Sequence, residues 1–444
     1  PRPRRTLSAG DGLLVEGPVP VMTTKTKATL IGGLVALALL LEMAWVVLNH
    51  RFTPSPAPRE TAQVKPPTPE GQAEDPPAGS KRYPARQLSS PVQFSVVVVV
   101  DKGGGPRFVG KISPDKPLEI PACDEWWVFI DPPPGTSVSI EKVAAEVESQ
   151  QIPGLHLPGR TGDADVAHLA HLTALRELSV SASGVTDAGL EHLRGMQGLR
   201  ILDLQQNKIT DAGLEALTGL TRLRELNLSG TKVTDSGLAY LQSLTRLRDL
   251  NLSRTKVTDA GLEYVERLEA LEVLNLDNTN VTDTGVAHLG SLTHLRKLNL
   301  TNTKVSDDGL AGIEALKELQ ELVLMHLAVS DAGLEHLKGL TRLQTLALLK
   351  AKVTGPGLKH LQGLSEFRNL ELGANPLSDD GLAYLQGMTG LRYLNLMETQ
   401  VTDAGLAHLK SLTGLRQLGL IRTRVTNAGV ADLQAALPEL KVFR

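Results

Sequence analysis

Leucines recur along residues 138–444 in a pattern whose period changes within each copy. In VTDAGLAHLKSLTGLRQLGL, residues 401–420, the leucines of LAHLKSL are three positions apart and those of the final LGL are two apart. A period of two predicts a short strand with both leucines on one face, and a spacing of three predicts a helical stripe. Each copy therefore predicts one short strand and one short helix.

The whole pattern repeats every 24 residues. Glycine occupies one column eleven times, from Gly189 to Gly429, and aspartate stands two residues before it in most copies. One copy cannot cover its own leucines, so the copies must stack and share a core. Thr402 and Asp403 stand where a helix N-cap is expected. The glycine predicts either a tight turn or a helix start that lies close to the neighbouring copy.

This repeat resembles the leucine-rich repeat family, in particular its ribonuclease-inhibitor-like and F-box-associated subtypes and the VTDAGL arrays of planctomycete-type bacterial proteins. The resemblance covers about residues 138–444. It implies an α/β fold: a curved solenoid of about 12 copies with a parallel strand ladder on the concave face and helices on the convex face. The position usually held by asparagine is mostly threonine here, with Asn207 and Asn375 as exceptions. We expect a ladder of hydroxyl groups to satisfy the same backbone groups.

Residues 28–48, ATLIGGLVALALLLEMAWVVL, are a strongly apolar run. At about 1.5 Å per residue a helix of this length crosses a hydrocarbon core. Lys25 and Lys27 precede it and favour a cytoplasmic N-terminus. Residues 22–52 are therefore predicted to be a signal anchor or transmembrane segment, which places the repeats outside the cytoplasm, in the periplasm or at the cell surface. A cleaved signal peptide followed by secretion, and a cytosolic apolar segment, are the alternatives.

Three further segments flank this anchor. Residues 1–21 are predicted to be a non-native extension, because Met22 opens a conventional MTTKTK n-region. Residues 53–91 carry ten prolines and predict an extended linker. Residues 92–137 contain the strand candidates VQFSVVVVV and EWWVFI and predict a small β-rich unit. Residues 92–151 are expected to cap the N-terminal side of the repeats. No cluster of titratable residues accompanies that unit, so we expect no independent site there.

Composition narrows the possible functions. The net charge of −3 gives no basic field for nucleic acid, and the single cysteine, Cys123, excludes an internal disulfide framework and a multi-cysteine metal site. No serine or cysteine lies in a nucleophile elbow, and DKGGGP lacks the ending of a phosphate loop. We therefore expect a protein without catalytic activity, cofactor or metal.

The histidine column and the aspartate column contain residue types that bind metal ions. One histidine column also accepts tyrosine, alanine and glycine, so packing on the helix surface between adjacent copies is favoured over zinc binding. The aspartate column is better explained by helix capping than by a calcium ladder. The histidines are His168, His192, His288, His336, His360 and His408.

The strand residues that alternate with the leucines are predicted to line the concave face. A polar floor of asparagines gives way to an apolar patch around Val323, Met325, Leu327, Ala347 and Leu349, and exposed apolar patches often mark interaction sites. Coverage of these side chains by their neighbours is the alternative. The predicted binding residues are Asn227, Asn251, Asn275, Asn299, Val323, Met325, Ala347, Leu349, Asn395 and Met397.

An arginine column borders this face. Nearby Glu177, Glu225 and Asp249 favour a solvated mixed-charge rim over an anion-binding groove. The column consists of Arg176, Arg200, Arg224, Arg248, Arg296, Arg368, Arg392 and Arg416.

The sequence as a whole predicts a membrane-anchored repeat protein that binds a protein or other macromolecule on its concave face. Relatives of the repeat subtype imply a substrate-recognition subunit of a ubiquitin ligase as one alternative, although no F-box-like segment precedes the repeats. A structural surface spacer is a second alternative, and an enzyme with its site in residues 92–137 is a third.

Overall fold

The computed structural model describes residues 83–90, 92–99, 107–112, 117–123, 125–130, 138–157 and 159–444, all within one compact unit, Ser55–Arg444. The predicted anchor at 28–48, the extension at 1–21 and most of the predicted linker lie outside these residues. Within the described ranges, no helix combines the length and the apolar character that crossing a bilayer requires.

Sixteen strands of the described chain form one sheet, in the order β18 back to β5 and then β2 and β3, while β1 pairs with β4 alone. From β5 to β18 every neighbouring pair is parallel. The strands are β1 (Arg86–Leu88), β2 (Phe94–Val99), β3 (Arg107–Ile112), β4 (Leu118–Ile120), β5 (Glu125–Ile130), β6 (Gly154–His156), β7 (Glu177–Ser179), β8 (Ile201–Asp203), β9 (Glu225–Asn227), β10 (Asp249–Asn251), β11 (Val273–Asn275), β12 (Lys297–Asn299), β13 (Glu321–Val323), β14 (Thr345–Ala347), β15 (Asn369–Glu371), β16 (Tyr393–Asn395), β17 (Gln417–Gly419) and β18 (Lys441–Phe443).

Each strand from β7 onward is joined to the next by a short helix, and one strand with its helix is called a coil below. The α-helices are α1 (Ile140–Ser149), α2 (Asp163–Ala167), α3 (Asp187–Glu191), α4 (Asp211–Leu214), α5 (Asp235–Leu238), α6 (Asp259–Val265), α7 (Asp283–Ala287), α8 (Asp379–Leu382), α9 (Asp403–Leu406) and α10 (Asn427–Ala436). Short 3₁₀ turns span Glu215–Leu217, Ala239–Ser243, His288–Ser291, Asp308–Ile313, Gly333–Leu337, Pro356–Leu361, Ala383–Leu385 and Ala407–Ser411.

The 24-residue period fixes the register of the ladder. Leu226 pairs with Leu250, which pairs with Leu274, so equivalent residues of successive coils lie side by side. The leucines of each L-x-L pair are buried, as the period of two predicts. The leucines of the helical stripe join them in one continuous core, so the prediction of stacked copies is confirmed.

Strands β2, β3 and β5 extend the same sheet instead of standing apart from it. β2 pairs antiparallel with both β3 and β5, and β5 continues into the ladder where Val128 pairs with Leu155 of β6. Trp126 and Val128 are buried in the common core, while their neighbours on β5 point to the other face. The strands predicted in this region therefore cover the N-terminal end of the repeats.

The repeated aspartate joins one coil to the next, which corrects its assignment as a helix cap. Thr258 is the N-cap of α6; its backbone N–H donates to Oδ1 of Asp235 at 2.7 Å and its hydroxyl to Oδ2 at 2.6 Å. Asp235 itself occupies the first position of α5, so its carboxylate is free to turn toward the following coil. We call this arrangement the inter-coil staple. Its pairs are Asp163–Thr186, Asp187–Thr210, Asp211–Thr234, Asp235–Thr258, Asp259–Thr282, Asp283–Ser306, Asp307–Ser330, Asp379–Thr402 and Asp403–Thr426.

The glycine column exists because the staple leaves no room for a side chain. A Cβ atom on Gly261 would lie 2.5 Å from Oδ1 of Asp235, and the other column glycines approach an aspartate carboxylate in the same way, except Gly357 and Gly381. The column glycines have no positive φ. Of the two expectations for this glycine, close approach to the neighbouring coil is confirmed and a tight turn is wrong.

The irregular VTGPGL segment at 353–358 removes one staple. Gly355 stands where other coils have aspartate, and its φ of 139° lies in a region that side chains disfavour. Asp331 of the preceding coil compensates, because its carboxylate accepts from the N–H groups of Thr354, Gly355 and Gly357 and from the Thr354 hydroxyl. Burial opposes ionisation of Asp331, but these hydrogen bonds outweigh it and its pKa is lowered.

The threonine ladder satisfies backbone carbonyls within its own coil, as predicted. The Thr231 hydroxyl donates to the carbonyl of Leu228 at 2.6 Å. Asn207 does more: its Nδ2 donates to Val180 of the preceding coil, and its Oδ1 accepts from the N–H of Val185. Threonine therefore lacks the hydrogen bond to the preceding coil that asparagine makes. The inter-coil staple supplies hydrogen bonds between coils at a different position.

Candidate functional site

The predicted asparagines form one row on the face of the ladder that points away from the helices, here called the concave face. Asn227 pairs with Asn251, then Asn275, then Asn299 in adjacent strands. Each side chain accepts through Oδ1 from the N–H group two residues later, at 3.0 to 3.1 Å. Since Oδ1 is held by the backbone, Nδ2 must point the other way, and it makes no hydrogen bond to another described residue. The row thus presents four amide donors about 4.8 Å apart.

At the next two strands the row changes from asparagine to apolar residues. Val323 and Ala347 follow Asn299, but both are buried at 3% and 1% exposure, and Leu327 is buried as well. The expected apolar patch is therefore smaller than predicted. Short side chains on strands about 4.8 Å apart are covered by their neighbours, and only the longer Met325 and Leu349 stay partly exposed.

The C-terminal part of the row is closed by its own hydrogen bonds. The Asn395 amide donates to Glu371 Oε2 at 2.7 Å, and Asn395 and Met397 are both buried. Burial raises the pKa of Glu371, although hydrogen bonds from Tyr393 and Asn395 oppose the rise. Burial and the adjacent Glu371 carboxylate raise the pKa of Tyr393. Asn395 and Met397 are thus components of a packed network and do not belong to the accessible surface.

A second row of strand residues carries charge beside the asparagines. Asp249, Val273, Lys297 and Glu321 lie on successive strands. Burial raises the pKa of Asp249 to about 7, a rise that Lys297 partly opposes. Burial lowers the pKa of Lys297, and Glu321, whose carboxylate lies 3.5 Å from Nζ, opposes that change. The central concave face therefore combines amide donors with a carboxylate that changes charge near neutral pH.

An aromatic cluster at the N-terminal end of this face escaped prediction. The rings of Trp127 and His156 stack with centroids 5.5 Å apart, and Phe129 meets His156 edge-on at 4.6 Å. His156 Nε2 lies 2.6 Å from Glu177 Oε1. Phe129 and Phe108 are 36% and 57% exposed. Alternation along EWWVFI already separates Trp127 and Phe129 from the core side chains, but only pairing of β5 with β6 brings them to His156.

Comparisons with known proteins agree with the repeat fold described above. Leucine-rich repeat family profiles match residues 173–233, 243–265 and 291–313. The chain is similar to an internalin (inlF) from Listeria monocytogenes, with 25% identity over 68% of this chain and 88% of that chain and a TM-score of 0.54. The fold is a leucine-rich repeat solenoid. No curated protein matches the sequence.

Two further solved structures resemble the solenoid more distantly. A leucine-rich repeat protein of Leptospira interrogans is 16% identical, over 68% of this chain and 92% of that chain, with a TM-score of 0.46. An internalin C2 from Listeria monocytogenes is 25% identical, over 49% of this chain and 84% of that chain, with a TM-score of 0.38. Leucine-rich repeat folds are in general interaction scaffolds that bind proteins.

Part of the histidine column of the solenoid connects neighbouring coils, as predicted, through His288, His336 and His408. Nδ1 of His288 lies 2.9 Å from Glu266 Oε2, and Nδ1 of His408 lies 3.0 Å from Gln386 Nε2, each one coil earlier. Among the described residues no group of three potential ligands could hold a metal ion. These three histidines act in contacts between helices.

The arginine rim of the solenoid is not uniform along its length. Glu272 lies between Arg248 and Arg296, at 3.1 and 3.5 Å from their Nη1 atoms, which matches the predicted mixed-charge rim. The last three arginines of the column instead line one pocket without an acid among its lining residues.

Proposed function

We propose that the solenoid binds a protein partner through the centre of its concave face, from Asn227 to Leu349. The observation that carries this proposal is the asparagine row, whose four Nδ2 groups face the groove beside partly exposed Met325 and Leu349. Backbone carbonyls of an extended segment are suitable acceptors for such evenly spaced donors. An apolar side chain of the same segment would fit against Met325 and Leu349.

We further propose that residues 22–52 anchor the chain in a membrane and that the repeats lie outside the cytoplasm, in the periplasm or at the cell surface. The apolar run at 28–48 and the preceding lysines support this topology. Secretion after cleavage of the same segment is the alternative. In this arrangement the proline-rich linker would separate the binding surface from the bilayer.

The binding proposal is tested with a double variant, Met325→Asp/Leu349→Asp, in the full chain. Partners are labelled and cross-linked in the native cell and quantified by mass spectrometry. Two carboxylates on the central face should remove the partner that wild type captures, because an apolar contact cannot accommodate unpaired charge.

The matched control is Ala287→Asp/Ala311→Asp, which adds the same two charges at exposed helix positions. It should keep the partner. Equal loss in both variants, or unchanged capture by the concave variant with a native circular dichroism spectrum, would exclude the central face as the binding surface.

A further inference from the structure

We infer that Arg368, Arg392 and Arg416 form a binding site for an oxyanion group, a phosphate or sulfate ester, near the C-terminal end of the solenoid. Their backbones are consecutive in the ladder, since the N–H of Arg392 donates to the Arg368 carbonyl at 2.7 Å and that of Arg416 to the Arg392 carbonyl at 2.9 Å. The three side chains line one pocket of about 300 Å³ together with Gly390 and Gly414. Adjacent rungs are about 5 Å apart, so three positive charges face the same small volume.

The two outer guanidinium groups are held in the same way. Arg368 donates from Nη1 to the carbonyls of Ser365 and Phe367, at 3.1 and 2.9 Å. Arg416 makes the corresponding two bonds from its own Nη1, at 3.0 and 3.1 Å. Each contact uses one nitrogen, so the fork retains donors for a ligand. Fixing the planar fork before binding favours recognition of an oxyanion, whose oxygens accept two parallel hydrogen bonds.

Glycine shapes the pocket between these groups. A Cβ atom on Gly390 would lie 2.7 Å from Nη1 of Arg368. Most earlier coils carry a larger residue in this column, such as Arg342 or Glu366. The consecutive glycines at 390 and 414 therefore leave space beside the arginines, and they remove the carboxylate that Glu366 would otherwise repeat.

The charge balance at this site differs from that of the central coils. There, Glu272 takes the column position between Arg248 and Arg296 and contacts both. In the C-terminal coils Arg392 takes that position between two other arginines, and it makes no ion pair with another described residue. An anion in the pocket would neutralise the charge of Arg392, as the Glu272 carboxylate neutralises Arg248 and Arg296.

The neighbouring strand residues also carry less negative charge in the C-terminal coils than in the earlier coils. The strand residues that follow the three arginines are Asn369, Tyr393 and Gln417, whereas Glu177, Glu225 and Asp249 follow earlier members of the column. One acid does approach the pocket: Glu439 lies 3.0 Å from Nε of Arg416, with its own side chain 75% exposed. It neutralises one edge of the site and leaves the pocket with net positive charge.

The test measures binding of inorganic pyrophosphate to the full chain by isothermal titration calorimetry at low ionic strength, where charge interactions are little screened. Wild type should bind, and Arg392→Gln should weaken binding by about tenfold, in the range that a lost charge-assisted contact produces. Gly390→Glu should abolish binding, because the new carboxylate can pair with Arg368. Glucose 6-phosphate and glucose 6-sulfate, compared with glucose, then distinguish phosphate from sulfate esters as the preferred source of the group.

Two controls separate a built site from general electrostatics. Arg248→Gln removes an arginine of the same column that lies beside Glu272, and Gly363→Glu adds a carboxylate where no atom lies within 4 Å of a new Cβ. Both should bind pyrophosphate like wild type. Absence of binding to wild type, or equal weakening by Arg248→Gln and Arg392→Gln, would overturn the assignment. The site is separate from the central concave face, so its failure would leave the binding proposal for that face unaffected.

Discussion

The carboxylate of Asp235 occupies the space that a side chain at residue 261 would need, because a Cβ atom on Gly261 would lie 2.5 Å from its Oδ1. The same carboxylate accepts two hydrogen bonds from Thr258. Glycine, aspartate and threonine of the VTDAG motif therefore act together across two coils. Their joint recurrence reflects one contact between coils and not three separate local preferences.

Replacing Gly261 by alanine should destabilise the solenoid by about 1 to 3 kcal/mol, the usual cost of forcing a methyl group into a packed contact. In a background that already carries Asp235→Ala, the same replacement should cost less, because the opposing carboxylate is absent. Urea unfolding of the four proteins of this double-mutant cycle gives the coupling. Gly219→Ala, where a new Cβ meets no atom within 4 Å, is the control. Additive effects in the cycle would contradict the assignment of the glycine to the staple.

Removing one inter-coil staple should lower the free energy of unfolding, even where the aspartate is partly exposed. Asp379→Ala removes the acceptor for the Thr402 N–H and hydroxyl, at 2.8 and 2.6 Å, and should cost about 2 to 3 kcal/mol. Asp380→Ala removes an exposed carboxylate from the adjacent residue and should change stability by less than about 0.5 kcal/mol. Thermal unfolding followed by circular dichroism compares the two. Similar losses in both variants would indicate that charge near the helix start, and not the staple, stabilises the coil.

Asp249 should make the folded state less stable as pH rises. Its pKa is about 7 in the folded chain, against an ordinary value of 3.8, so the folded state binds more protons than the unfolded state between these values. Stability from this group is therefore present below pH 4 and is lost as pH rises through 7. Asp249→Asn should leave stability little changed at pH 3, below both pKa values, and increase it by about 1 to 3 kcal/mol at pH 8. The exposed Asp380→Asn serves as the control, and an equal effect of Asp249→Asn at both pH values would refute the shifted pKa.

The repeat could be predicted from the sequence because its determinants are local. The alternation of Leu226 and Leu228 defines a strand, and the fixed step of 24 defines which residues of successive coils meet. A solenoid has mainly contacts between neighbouring units, so periodicity in the sequence translates directly into register. The concave position of the asparagine row followed from the same rule.

Accessibility within that row could not be predicted. Val323 and Asn395 obey the same alternation as Asn227, yet both are buried, the first by its neighbours and the second by its bond to Glu371. The pocket beside the arginine column could not be predicted either. The sequence shows which arginines share a column, but not which of them line a pocket. These properties depend on the sizes and charges of side chains two or more coils away.

The sequence by itself thus determined the coil, its stacking and the face on which each residue lies, because those depend on spacing along one chain. Only the tertiary structure decided that Asp235 bonds Thr258 of the next coil, that β5 joins Trp127 and Phe129 to His156, and that the last three arginines surround a common space. Each of these is a contact between side chains, whose direction depends on the room that neighbouring coils leave, and that room exists only once the coils are stacked.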